Sequence, residues 1–417
     1  MKTDRKVSRG TRLGKIFALS CVIAGSLVAN PALSNDNIAT PKYHLPAGED
    51  FLLWSPTVQP YGYSIVDKIF ATRTIKHGKN VLALPRGKEL SVTYQLNGKT
   101  YSAEDYIDHN NVAGLLVLKN GKIVLERYAL GFNEKGHWSS MSMVKSMTST
   151  LVGAAIQDGY IKSLDDKVST YLPTLKGSAY DAVSIRNLIT MSSGVKWREV
   201  YTDKDSDVNH YSKSLADKVP GGVLALMKSM PKETEPGSAF HYNSGDTYLL
   251  GALVSAATKK RLADYMSEKV WANFGMEADG FYTLESDNGQ EIGGSRAGMV
   301  LRDFGRFGLF VANGGVANGK RVLPANWVDD AGKVAFPLDA NANSYGASGY
   351  GYSWWLDPDG SMVALGFAGQ TIYINRKENL VIVTLGCWPQ PPYNSAYGRD
   401  FKGARRAFQK AVVDALH

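Results

Sequence analysis

The stretch that most restricts how this chain can fold is residues 137–160. From Ser146 to Gln157 it holds only Met, Ser, Thr, Leu, Val, Gly, Ala, Ile and one Gln, and it meets its first charge at Asp158. A helix of that make-up has no strongly polar face to turn to water, so the rest of the molecule must cover it on most sides. Ser142 and Lys145 stand at its start, nearly one helical turn apart, so hydroxyl and amine leave the same face. A lysine opening a buried helix beside a serine is either the proton partner of a nucleophile or a side chain snorkelling out from a helix end.

Spacing alone does not choose between these readings. Ser193-Gly194-Val195-Lys196 and Ser229-Met230-Pro231-Lys232 have the same separation. Gly194 is expected to end a helix begun near Ser184, which would part Ser193 from Lys196. Pro231 disfavours a regular turn through the other pair. Only Ser142 and Lys145 share a sustained helical run.

The chain has 417 residues of ordinary globular composition and a formal net charge of +8. Lys2, Arg5, Lys6, Arg9, Arg12 and Lys15 against Asp4 put +5 of it on residues 1–34 and leave +3 elsewhere. So small an excess argues against nucleic acid as a partner. The same N-terminus is basic to Lys15, apolar over residues 16–29 and small-residued at Ala32-Leu33-Ser34, which reads as a secretory signal cleaved near Ser34. Its apolar run falls short of the roughly 20 residues that span a bilayer, so no membrane span is expected after cleavage. Without paired arginines, a general secretory route is expected. Cys21 has too few apolar residues before it to suggest lipid attachment, and cleavage would leave Cys387 with no disulfide partner. The protein is expected to be exported, to the periplasm or beyond.

Residues 35–104, rich in Pro, Gly and Tyr, read as an N-terminal arm or small subdomain, with short strands at 81–84 and 90–94 and a turn at Asn97-Gly98. Residues 105–417 form the main domain. Its apolar runs 112–118 and 123–128 flank Asn120-Gly121, a strong hairpin signal. From 164 to about 270 the chain is mainly helical, with a cap at Ser184 and a helical pattern over 246–257. Strand-like runs return at 362–365, 371–374 and 380–385. A last helix over 401–416 aligns Phe401, Ala404, Phe408 and Val412. Strands at both ends around a helical middle predict an α+β layered fold: an antiparallel sheet of N- and C-terminal strands, flanked by helices.

For Ser142 to attack a carbonyl, Lys145 must take its proton, which requires a partly neutral amine. A proton route to the leaving group and donors for the oxyanion are also needed. A backbone N–H at the start of the helix is one such donor.

Several segments follow Ser142-Met143-Val144-Lys145 in order. They are 159–168 (GYIKSLDDKV), 171–173 (YLP), 185–194 (IRNLITMSSG), 240–251 (FHYNSGDTYLLG), 293–305 (GGSRAGMVLRDFG) and 366–370 (GFAGQ). Together they resemble the serine β-lactamase and penicillin-binding protein superfamily over residues 105–417. The likeness is to its class C-like branch of esterases and 6-aminohexanoate-dimer hydrolases. The resemblance implies a β-lactamase/transpeptidase-like fold and a serine hydrolase that works through an acyl-enzyme on amide or ester bonds, without a cofactor. It implies Ser142 as the nucleophile, Lys145 as its proton partner and Tyr242 as the group that helps protonate the leaving group. The oxyanion would be held by the backbone N–H groups of Ser142 and Gln370.

Ser244 stands where the Tyr-x-Asn motif of the superfamily ends in Asn. The literal Tyr373-Ile374-Asn375 falls in an expected strand and Tyr393-Asn394-Ser395 in a C-terminal loop, both out of motif order. Phe367-Ala368-Gly369 aligns with a motif that is usually Lys-Thr-Gly or His-x-Gly. Phenylalanine offers no cation to the carboxylate of a penicillin or a D-Ala-D-Ala peptide, so neutral esters or linear amides are the expected substrates. Ser244, Phe367 and Gly369 are candidate substrate-binding residues by this resemblance. So are Tyr201, in the segment 197–201, and Trp388, although both equally suit packing. Residues 345–355, rich in Gly and Tyr, read as a loop near the cleft mouth or as solvated surface.

The seven histidines are scattered, without a His-x-x-x-His pair, and there is no Gly-rich phosphate loop between a strand and a helix, so no metal site is expected. The expected partner is a small molecule, short peptide or ester. Rival readings keep the same fold as a binding module for peptides or cell-wall fragments, or as a true β-lactamase or D-Ala-D-Ala carboxypeptidase. No feature speaks to oligomeric state.

Overall fold

The apolar runs near the two ends of the chain pair with each other. Val112–Lys119 lies antiparallel to Leu380–Gly386, with Val117 opposite Ile382. The hairpin partner Lys122–Tyr128 closes that edge. The tight turn places Asn120 and Gly121 at φ +51° and +71°, the pair of positive values that a two-residue hairpin of this twist needs. On the other side follow Gln370–Asn375, Met362–Gly366, Trp355–Leu356, Gly349–Tyr350 and Phe336–Pro337, giving an eight-stranded antiparallel sheet.

The structure, a computed structural model, describes residues 45–343, 345–389, 391 and 398–417. The signal-like segment with Cys21 and Ser34, and the Tyr393-Asn394-Ser395 triplet, lie outside these residues.

Side chains alternate across this sheet. Leu115, Val117, Val363, Leu365 and Ile382 join a core with Tyr106 and Ile107 of the Ala103–His109 helix and Phe408 and Val412 of the Phe401–Asp414 helix. Leu116, Leu118, Ala364, Ile372 and Val383 face the larger core, which holds the Leu301–Ala312 and Met143–Gln157 helices. Both faces are covered, which is why these strands read as unbroken apolar runs. The helix whose composition demanded cover is covered: Met143 through Ala155 are all buried.

A second, four-stranded sheet takes Thr72–Ile75, Gly280–Thr283, Ala297–Met299 and Trp138–Ser139 in that order. Phe51, Trp54, Tyr63 and Phe70 belong to the larger core, so residues 45–75 are knit into the body. Among the described residues no helix is long and apolar enough to cross a membrane.

Four local expectations are corrected. Residues 81–84 form no strand: Val81 and Leu82 are exposed, and a lone bond from the Leu82 N–H to the Gly275 carbonyl gives no ladder. In the next segment the strand starts only at Thr93. The helix capped by Ser184 is short, Ile185–Ile189, because Met191 adopts φ +55°; Gly194 serves a separate bend against Thr234. Residues 345–355 are not solvated surface: they carry Gly349–Tyr350 and the start of Trp355–Leu356, two short inner strands, and bury Tyr350, Trp354 and Trp355.

Candidate active site

The small sheet delivers the serine. Trp138–Ser139 pairs with Ala297–Met299, and Ser140 extends the contact: its N–H donates to the Ala297 carbonyl (2.7 Å) and its Oγ accepts from the Ala297 N–H (3.0 Å). The chain then turns through Met141 at φ +45°, a left-handed conformation that costs a side-chain-bearing residue energy and is held by these flanking contacts. Ser142 follows as N-cap of the Met143–Gln157 helix. A capping serine ordinarily accepts an N–H from the first turn, but Ser142 makes no such bond. Its Oγ accepts from Lys145 Nζ at 3.0 Å instead.

Lys145 is only 2 % exposed. Its ammonium also donates to Ser244 Oγ (3.0 Å) and to the Gly294 carbonyl, so three donors meet three acceptors. Burial lowers its pKa to about 8, while the Glu199 charge acts the other way. Loss of one proton would let the Ser142 bond reverse, with the hydroxyl donating to a neutral amine.

Ser244 opens the Ser244–Thr258 helix, capped by the Asn243 side chain, which accepts from the Gly245 and Asp246 N–H groups. Its Oγ donates to Glu199 Oε1 (2.6 Å) and its N–H to Oε2 (3.2 Å). Glu199 also accepts from the Tyr201 hydroxyl (3.1 Å) and from Trp197 Nε1. Tyr242 reaches the cluster from the other side. Its ring centroid is 5.0 Å from Lys145 Nζ and 5.5 Å from the Trp355 ring, and its hydroxyl is near enough to Ser142 for that side chain to act on its pKa. Burial pushes its pKa well up, so the hydroxyl keeps its proton at neutral pH.

The Phe367–Gly369 bend joins Met362–Gly366 to Gln370–Asn375 beside Ser142. Gly366 leaves no room for a side chain: a Cβ there would lie 2.8 Å from the Ser140 carbonyl and 2.9 Å from Met141 Cβ. Gly369, at φ +94°, likewise clears space for the Trp388 ring. The Gln370 side chain anchors the bend, accepting from Trp138 Nε1 (2.9 Å) and the Gly386 N–H (3.0 Å). Phe367 packs on Tyr201 with ring centroids 5.0 Å apart.

Ser142, Lys145, Tyr242 and Ser244 are thus brought together, and Ser142, Ser244, Tyr201 and Phe367 line one narrow cavity. Gly369 and Trp388 do not line it among the described residues; Trp388 is buried behind the bend, against Phe401. Glu199 escaped the sequence reading as a site residue, its one signal being its place within 197–201. Arg296, which lines the cavity from within the segment 293–305, escaped it too. Among the described residues no cluster of three His, Cys, Asp or Glu could hold a metal.

The sequence model of the family described as Beta-lactamase matches residues 103–400. The chain is 26% identical over 306 residues to a 6-aminohexanoate-dimer hydrolase from Paenarthrobacter ureafaciens, covering 71% of this chain and 77% of that one. Among solved structures it resembles a Bacillus anthracis protein provisionally named a 6-aminohexanoate-dimer hydrolase, with TM-score 0.75, 24% identity and coverage of 86% and 94%. A family VIII carboxylesterase shares the fold, with TM-score 0.55, 16% identity and coverage of 74% and 95%. With well over half its length matched and this fold around it, the chain belongs to the Beta-lactamase family of serine hydrolases.

Proposed function

We propose that this protein hydrolyses ester or linear amide bonds through an acyl-enzyme on Ser142. The observation that carries the reading is the buried Lys145 amine, held between Ser142 Oγ and Ser244 Oγ with its pKa lowered to about 8. The neutral amine takes the Ser142 proton as Oγ bonds to the substrate carbonyl carbon, and the oxyanion is held by the Ser142 and Gln370 N–H groups. The protonated Tyr242 hydroxyl, near Ser142, passes a proton to the departing alkoxide or amine and is replenished from Lys145. Water then attacks the acyl group by the reverse route, releasing the acid and free Ser142.

Phe367 stands where the resemblance places a cation or histidine, so a carboxylate is not met at that position. Short esters and linear amides, including 6-aminohexanoate oligomers, fit better than penicillins or D-Ala-D-Ala peptides. The basic and then apolar segment 1–34 supports export.

A panel of p-nitrophenyl esters, 6-aminohexanoate oligomers, D-amino-acid peptides and nitrocefin tests the reading. Short-chain ester turnover with weak or absent nitrocefin turnover is expected. Rapid nitrocefin hydrolysis would overturn the weight placed on Phe367, and tight binding without turnover across the panel would favour a binding module.

A further inference from the structure

The cavity beside Ser142 has a buried cation in its lining. Arg296 is 1 % exposed and lines the same cavity as Ser142 and Ser244. Its guanidinium packs into the corner of two edge-to-face rings, 4.1 Å from the Phe51 centroid and 4.3 Å from that of Phe70. Cation–π contact with both rings holds the group in place without using its N–H donors. One of them donates to Ser212 Oγ (2.8 Å), while Nε and Nη1 have no hydrogen-bond partner among the described residues. No ion pair to Arg296 is found among these residues, and the groups that act on its charge are the hydroxyls of Tyr211 and Tyr63. A buried cation without a counter-ion is costly, and the cost falls when an anion arrives.

We propose that Arg296 is a subsite for a substrate carboxylate, so that the preferred substrate is a slim linear ester or amide with an anionic end. This deepens the acyl-enzyme reading and rests on it for the word substrate. The charge that the Phe367 position cannot supply is supplied by Arg296, in the lining of the same cavity. The cavity offers about 20 Å³ of room, little more than one water needs, so the charged group enters as the tip of an unbranched chain and Phe51 or Leu52 adjusts to admit it. Phe51 lies in the Gly48–Leu53 turn, so the N-terminal part of the chain would help to read the substrate.

Competition on the full chain tests this. Glutarate is titrated against turnover of p-nitrophenyl butyrate, with pentanediol as the uncharged control. Glutarate is expected to raise KM without changing kcat while the diol does neither, and Arg296→Met should weaken glutarate about tenfold or more, the worth of a charge-assisted hydrogen bond. Equal effects of glutarate and diol on the wild-type chain, or undiminished competition in Arg296→Met, would overturn the proposal. The wild-type comparison decides even if the variant does not fold. If no ester is turned over, the hydrolase reading fails by itself, and calorimetry of glutarate on the wild-type chain still decides the subsite.

Discussion

Ser142–Lys145 and Ser193–Lys196 have the same spacing and opposite surroundings. Lys145 is buried and bonded on all three hydrogens, on a helix whose following residues are all covered. Lys196 is exposed, in a stretch bridged to Lys232 through Val195. The third pair, Ser229 and Lys232, is exposed at both ends. An exposed amine keeps its hydration. A buried one gives up hydration that only the protonated form enjoys fully, and so becomes a usable base near neutral pH. The helix composition, not the spacing, separates the pairs.

The sharpest way to break this contrast is to remove the serines. Ser142→Ala is expected to lower kcat for the best ester by on the order of a millionfold, as loss of a catalytic nucleophile does elsewhere. Ser229→Ala should stay within about twofold. Lys145→Met is next, expected to cost roughly a thousandfold through lost general-base catalysis. Glu199→Gln is a finer cut: it should cost about tenfold by loosening Ser244, which positions Lys145. It also carries a signature that a merely structural residue lacks. The Glu199 charge favours the ammonium, so its removal lowers the Lys145 pKa further. In the wild type kcat/KM should rise with pH through about 8 and level off, because the neutral amine is the active form. In Glu199→Gln that midpoint should move to lower pH, and a shift upward or none at all would break the link. Lys196→Ala, the smallest effect, should fall within the error of the assay.

Much of this arrangement could be read in the residues. The uncharged run after Lys145 announced a buried helix, and the long apolar runs announced the central strands because both faces of the sheet are covered. What stayed hidden was built from pieces too short to show a period. Trp138–Ser139 and Ala297–Met299 are two and three residues long, yet they set the approach to Ser142. The strands within 345–355 are as brief, so their Gly and Tyr content suggested a loop. Glu199 and Arg296 were hidden for another reason. Their roles come from partners far away in sequence, Ser244 for one and Phe51 and Phe70 for the other, and no local pattern encodes such meetings.

The most direct test of the central claim is covalent. The folded chain is treated with a fluorophosphonate probe at a series of pH values, and the modified peptide is mapped by mass spectrometry. The account predicts one label, on Ser142, forming faster as pH rises through about 8 and absent in Ser142→Ala. An unlabelled Ser142 in folded protein, or undiminished ester turnover by Ser142→Ala, would contradict it.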